Sequence, residues 1–207
     1  MNCDCPPSAA LGDIDAQDCP EDLGQVQRLF FQRLGAGSFA TEIIFAAQAT
    51  WTPLFIAADG TKITKSPRFE NHIIPQVEPI TEGGGDNTTL DGAEVVLGSG
   101  PVTVTGTFRS VKNAIIEQMK LLGCESTPGQ SPGLGVFMVN EFGKLIGIQS
   151  GIAGTTVSPI PVTSFFVSDS GNDGKNTNDK SNFRYNLKEG WRNGLILVQP
   201  DFDALTV

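Results

Sequence analysis

The chain has 207 residues, enough for one sizeable hydrophobic core or two small ones, and its 24 glycines and 13 prolines imply many turns. Acidic side chains outnumber basic ones 23 to 14, for a net charge of −9; this argues against a nucleic-acid reader, which needs a cationic footprint for phosphate, but not against a protein that DNA slides past, since a negative wall repels phosphate. No run of about 18 apolar residues occurs, so no membrane-spanning helix is expected.

Residues 1–23 read as a flexible arm, with Pro6, Pro7, Pro20 and several acids but no periodicity. They lack the cationic start and apolar centre of a secretory signal peptide. Residence in a reducing cytoplasm, or export without a cleaved signal, is therefore expected. Cys3, Cys5 and Cys19 lie here, and Cys124 stands apart. Their spacing fits no standard zinc knuckle, which puts two residues between paired ligands. Free thiols, with no metal and no cofactor, are the expectation.

From residue 24 onward the pattern predicts a single domain, mainly β. Gln25–Leu34 suits a first strand, and Gly35–Ser38 a turn. Ala47, Trp51, Leu54 and Phe55 have helical spacing, so a short helix is expected within 46–57, with Pro53 in a first turn or at a break. A turn at Asp59-Gly60 leads to a short strand around Thr61–Lys65, and Phe69–Val77 reads as extended. Residues 79–100, PITEGGGDNTTLDGAEVVLGSG, form a long glycine-rich acidic segment whose one β-like run is Glu94–Leu97. Loops of this length inside a compact domain are usually functional or disordered. Between two extended segments it reads as a long hairpin arm.

Pro101–Phe108, PVTVTGTF, alternates in steps of two: Val102, Val104, Gly106 and Phe108 on one face, threonines on the other. Helical spacing follows, with Val111, Ala114, Ile115, Gln118, Met119 and Leu122 on the apolar face, Ser110 as N-cap and Gly123 as the residue that closes the helix. Ile116 falls off that face. Leu134–Asn140, LGVFMVN, is almost continuously apolar and reads as a central strand. Glu141–Lys144 turns the chain back into Leu145–Ile148. Ser158–Val167 carries two prolines that suit an edge or the first residues of a strand. A polar loop over Asp169–Ser181 precedes closing strands at Phe183–Leu187 and Gly194–Val198.

Few residues invite chemistry. His72 is the only histidine, so any Ser-His-Asp or Cys-His site would have to use it; a satisfied structural role is the simpler expectation. Gly83-Gly84-Gly85 lies beside Glu82, Asp86 and Asp91, which would repel a phosphate. The loop from Asp169 to Lys180 resembles a calcium loop at Asp169, Asp173 and Gly174. It has Gly171 and Lys180 where two further oxygen ligands belong. Asp201-Phe202-Asp203 offers paired carboxylates by composition only, against a C-terminal segment that packs through Phe202. No enzyme is expected.

The order of elements, the 79–100 loop, PVTVTGTF running into VKNAIIEQMKLLG, and the LGVFMVNEFGKLIG hairpin together resemble the phage tail tube (major tail) protein family. IPVTSFFVSDSG and WRNGLILVQPDFDAL look like structural proteins encoded by phages and prophages of Bacteroidetes. The resemblance spans roughly 25–205. It implies a β-sandwich or partial barrel with one flanking helix (about 109–123) and a long hairpin loop. It further implies hexameric rings of the chain itself, stacked into a virion tail tube that contacts other tail proteins and lets DNA pass without sequence-specific binding. Glu82, Gly84, Asp86 and Asp91 of the loop, and Ile116 of the helix, would then meet neighbouring copies. A tail hub, ring or terminator protein of the same fold, or a sugar-binding β-sandwich module, are the alternatives. Such a protein would be made in the cytoplasm of a host bacterium and reside in the virion.

Overall fold

The computed structural model describes residues 23–85, 88–129, 133–150 and 155–207. The expected N-terminal arm and its three cysteines, apart from Leu23 at its edge, lie outside them, as does Asp86. The chain divides into two compact units. The described part of the smaller is Gln76–Gly100; the larger combines Leu23–Pro75 with Pro101–Val207.

In chain order the larger unit begins with β1 (Val26–Arg33), α1 (Glu42–Ala46), α2 (Gln48–Ile56), β2 (Thr64–Lys65) and β3 (Glu70–Ile73). The smaller unit supplies β4 (Pro79–Glu82) and β5 (Val95–Ser99). The larger resumes with β6 (Val102–Arg109), α3 (Asn113–Glu125), β7 (Leu134–Asn140), β8 (Leu145–Ser150), β9 (Thr156–Ser158), β10 (Ile160–Val167), β11 (Lys180–Leu187) and β12 (Leu195–Val198). The fold is mainly β and sandwich-like, as expected.

β7 is the hub. One edge pairs with β1 along its whole length, from Val26↔Asn140 to Arg33↔Leu134. The other edge is shared: Leu134–Val136 pair with β10, while Met138 and Val139 pair with β8. From β10 the sheet continues through β11 and β6 to β3. A single segment then curls the sheet toward a barrel. Thr64 and Lys65 pair with Phe31 and Phe30 of β1, and the Phe69 N–H donates to the Gln27 carbonyl at 3.0 Å. A few residues later Glu70 and Ile73 pair with Thr107 and Thr105 of β6. The result is a partial barrel bridged by one segment.

Both faces of β1 and β7 are covered, which explains their unbroken apolar runs. Leu29, Phe31, Val136 and Met138 face an inner core with Phe183 and Tyr185 of β11. Phe30, Phe137 and Val139 face a second core with Phe39, Phe45, Trp51 and Ala204. The Trp51 indole stacks on Phe39 at 4.8 Å and its N–H donates to the Phe45 carbonyl at 2.6 Å, so its polar end is satisfied on burial. The helix expected within 46–57 is present as α2, preceded by the separate turn α1.

α3 departs from expectation in three ways. It begins at Asn113, because Ser110 lies just past the end of β6 and is not a cap: its φ is 53° and its N–H donates to the Asp179 carbonyl at 2.9 Å. It is rotated, so that Ile116 and Met119 are buried in the inner core while Ala114, Ile115 and Gln118 are exposed. Ile116 is therefore a core residue and not a contact for a neighbour. Gly123 lies within the helix, where a Cβ would sit 2.9 Å from the Phe165 carbonyl; it permits close approach and does not close the helix. Ser126 does that. Its hydroxyl donates to the Gly123 carbonyl at 2.9 Å and accepts from the Phe165 N–H at 2.8 Å. Ile116, Met119, Gly123 and Ser126 follow one stripe at helical spacing.

The alternation expected in β6 is present: Val102, Val104, Gly106 and Phe108 are buried. Gly106 sits under the ring of Phe183, and a Cβ there would lie 2.3 Å from that ring's Cζ. Phe69 and Phe108, at 4.8 and 4.7 Å between ring centroids, block the ring's retreat. Gly106→Ala is expected to cost about 1–3 kcal/mol through overpacking, read as a lower urea midpoint with an unchanged slope.

Candidate functional site

The hairpin of the smaller unit is the first feature of interest. β4 and β5 pair antiparallel, from Pro79↔Ser99 to Glu82↔Val95, with a register shift after Ile80. The expected run Glu94–Leu97 thus lies mostly in β5, and β4 is the partner that the sequence did not reveal. Gly83, Gly84 and Gly85 all take left-handed φ, at 91°, 102° and 101°, a path that a side chain would strain. The turn is tied by the Gly85 N–H to the Gly92 carbonyl at 3.0 Å, and by the Thr89 hydroxyl to the Ala93 carbonyl at 2.5 Å. Of the expected loop residues, Glu82 ends the ladder, Gly84 faces open space and Asp91 holds φ 60° in a single 3-10 turn over Leu90–Gly92.

This ribbon exposes Ile80, Val95, Val96 and Leu97, and Leu90 is 88% exposed. Neither core cluster takes a described residue from 76–100. A two-stranded hairpin is marginal alone in water, and a grouped exposed apolar surface usually marks an interaction site. The segment also carries Glu78, Glu82, Asp86, Asp91 and Glu94 and no lysine or arginine.

The second feature is the outer face of the sheet formed by β3, β6, β11 and β10. It is polar along its middle: the Thr103 hydroxyl donates to Asn186 Oδ1 at 3.0 Å, and that of Thr107 to Asn182 Oδ1 at 3.1 Å. Two bulges then place apolar residues on either side. In β3 the register runs Glu70↔Thr107 then Ile73↔Thr105, with Asn71 as the extra residue at φ 54°. The insertion turns His72 inward and Ile73 outward. In β10 it runs Thr163↔Asn186 then Phe166↔Arg184, with Ser164 extra at φ 54°. That insertion turns Phe165 into the core and Phe166 out. The Ser164 N–H donates to the Ser126 carbonyl at 2.9 Å, so the end of α3 holds the bulge in place. Bulges re-aim side chains in this way. Ile73 and Phe166 are 58% and 54% exposed, and the Arg184 guanidinium lies 5.7 Å from the centre of the Phe166 ring. Between them is an open groove of about 560 Å³. Neither bulge has a sequence signature beyond the doublet Phe165-Phe166 and an asparagine before His72.

The residues with chemical potential hold structural partners. His72 Nε2 and the Tyr185 hydroxyl share a hydrogen bond of 2.9 Å, and burial lowers the imidazole pKa to about 4. Burial also pushes the Tyr185 phenol up. Asp173 pairs with Lys180 at 2.7 Å, which holds its carboxyl below the usual range, and Asp169 pairs with Lys120 of α3. The calcium-like loop thus meets two lysines, where a cation site would need unpaired oxygens. Asp201 Oδ1 accepts from the Gln48 N–H at 2.7 Å and so satisfies a donor at the start of α2. Phe202 packs against the second core. Among the described residues no group of three His, Cys, Asp or Glu side chains converges, Cys124 is exposed, and no helix is long and apolar enough to cross a membrane. No protein-family model, curated protein or solved structure matches the chain.

Proposed function

We propose that this chain is a virion structural protein, a tail tube subunit whose work is to associate with copies of itself into stacked rings around a passage for DNA. The observation that carries this reading is the β4–β5 hairpin, which exposes Ile80, Leu90, Val95, Val96 and Leu97 without a core of its own. Covering even a few such side chains is worth roughly 1.5–3 kcal/mol each, enough to favour assembly over a solitary chain. β12 lies at the end of the sheet and pairs with β8, and among the described residues no strand pairs with its outer edge, which suits a neighbouring strand. The acidic balance of the chain suits a conduit that repels phosphate.

Sedimentation velocity over a concentration series, followed by negative-stain imaging, tests this. Association into rings or tubes as concentration rises is the expected result. A monomer throughout the series overturns the reading.

A further inference from the structure

If the chain associates with itself, its hairpin needs a receptor, and the outer sheet face offers one. We propose that the β4–β5 hairpin of one copy docks in the groove between Ile73 and Phe166 of the next copy. This rests on the self-assembly reading and goes beyond it by naming the surface that receives the arm.

Two complementarities support the pairing. The first is apolar. The groove is flanked by Ile73 on β3 and Phe166 on β10, both more than half exposed, and the hairpin presents Val95, Val96 and Leu97. Both flanking residues stand outward only because a one-residue bulge precedes each, at Asn71 and at Ser164. Non-glycine residues in left-handed backbone are strained. A fold that sustains two of them to expose apolar side chains on an otherwise threonine- and asparagine-lined face has built a surface.

The second is charge. The hairpin segment holds five carboxylates and no cation. Arg184 lies in the groove, is exposed, and touches the Phe166 ring, while no described carboxylate forms an ion pair with it. A guanidinium already stacked on an aromatic ring is preorganised to receive a carboxylate. The hairpin and the groove are different surfaces of one chain, so a contact between copies is head-to-tail; it closes into a ring or continues as a filament.

Complementation between two defective variants tests this. Val96→Arg alters the hairpin, and the double substitution Phe166→Asp with Arg184→Glu alters the groove; all three positions are exposed. Each variant alone is expected to associate at least tenfold more weakly than the parent, with an unchanged thermal midpoint. Mixed at equal concentration, they are expected to form a one-to-one dimer and nothing larger, because only one intact hairpin and one intact groove remain to meet. Loss of assembly in the Val96→Arg variant with normal assembly of the groove variant overturns the groove and leaves self-assembly standing. So does a mixture that stays monomeric. A parent chain that never associates overturns both proposals together.

Discussion

Replacing residues 77–99 with a Gly/Ser linker of about four residues is expected to leave a cooperatively folding monomer that no longer assembles, since loop closure depends only weakly on length. The geometry of the larger unit allows the change. Ile73 of β3 lies opposite Thr105 of β6, and β6 begins at Val102, so the chain leaving β3 departs close to where it returns. Residues 76–100 are in effect an insertion into the β3–β6 hairpin. Both aromatic cores are built from the rest of the chain, and Gly106, Phe183 and the bridging segment 64–73 are untouched. Urea unfolding should therefore give a midpoint near that of the parent. Sedimentation should show the monomer at concentrations where the parent associates. Assembly that survives the replacement removes the hairpin from the interface. A variant that fails to fold shows that the hairpin supports the body, although neither core cluster takes a described residue from it.

How much of this was legible in the sequence depended on whether neighbours in the chain were also neighbours in space. β6 could be read from its own alternation, and β7 from its unbroken apolar run, because each pattern is the direct consequence of one or two covered faces. The hairpin loop could be placed by its glycines. The rotation of α3 could not be read. Ile115 and Ile116 are adjacent and chemically alike, and the choice between them is made by Gly123 meeting the Phe165 carbonyl and by Ser126 capturing two N–H groups of β10. The same contact creates the bulge at Ser164, so the outward turn of Phe166 was hidden for the same reason. Strict alternation from Ile160 and Val162 would have buried Phe166 and exposed Phe165. Polar pairings set by the fold were hidden in the same way. Asp201, Asp169 and Asp173 were visible as carboxylates, but their partners Gln48, Lys120 and Lys180 are set by the fold.

Acidification from pH 6.5 to about 4.5 should destabilise the larger unit, and His72 should account for most of the loss. The bulge at Asn71 turns the imidazole toward Tyr185, with the rings of Phe69 and Phe183 alongside. The charged pair between the same strands, Glu70 with Arg109 at 2.7 Å, lies on the outer face. Burial lowers the folded-state pKa from the ordinary 6.5 to about 4. Between those values the unfolded chain binds a proton that the folded chain refuses. Stability is complete above pH 6.5, falls as pH descends toward 4, and levels off below. One pKa unit corresponds to about 1.4 kcal/mol, so the loss reaches roughly 3.5 kcal/mol at most; solvent that still reaches the ring reduces it toward about 2 kcal/mol. The window is diagnostic because His72 is the only histidine. The carboxylates held low, Asp59, Glu125 and Asp173, have ordinary values at or below about 4.5 and so lose their contribution mainly below the His72 window. Urea midpoints measured across pH 4.5–7.5 for the parent and for His72→Gln decide it. The parent should lose stability as pH falls from about 6.5 to 4.5, and the variant, lower at neutral pH, should stay nearly flat across that interval. Equal slopes in the two proteins would mean that the imidazole accepts its proton in the folded state as readily as in water, and that burial against Tyr185 does not govern its charge.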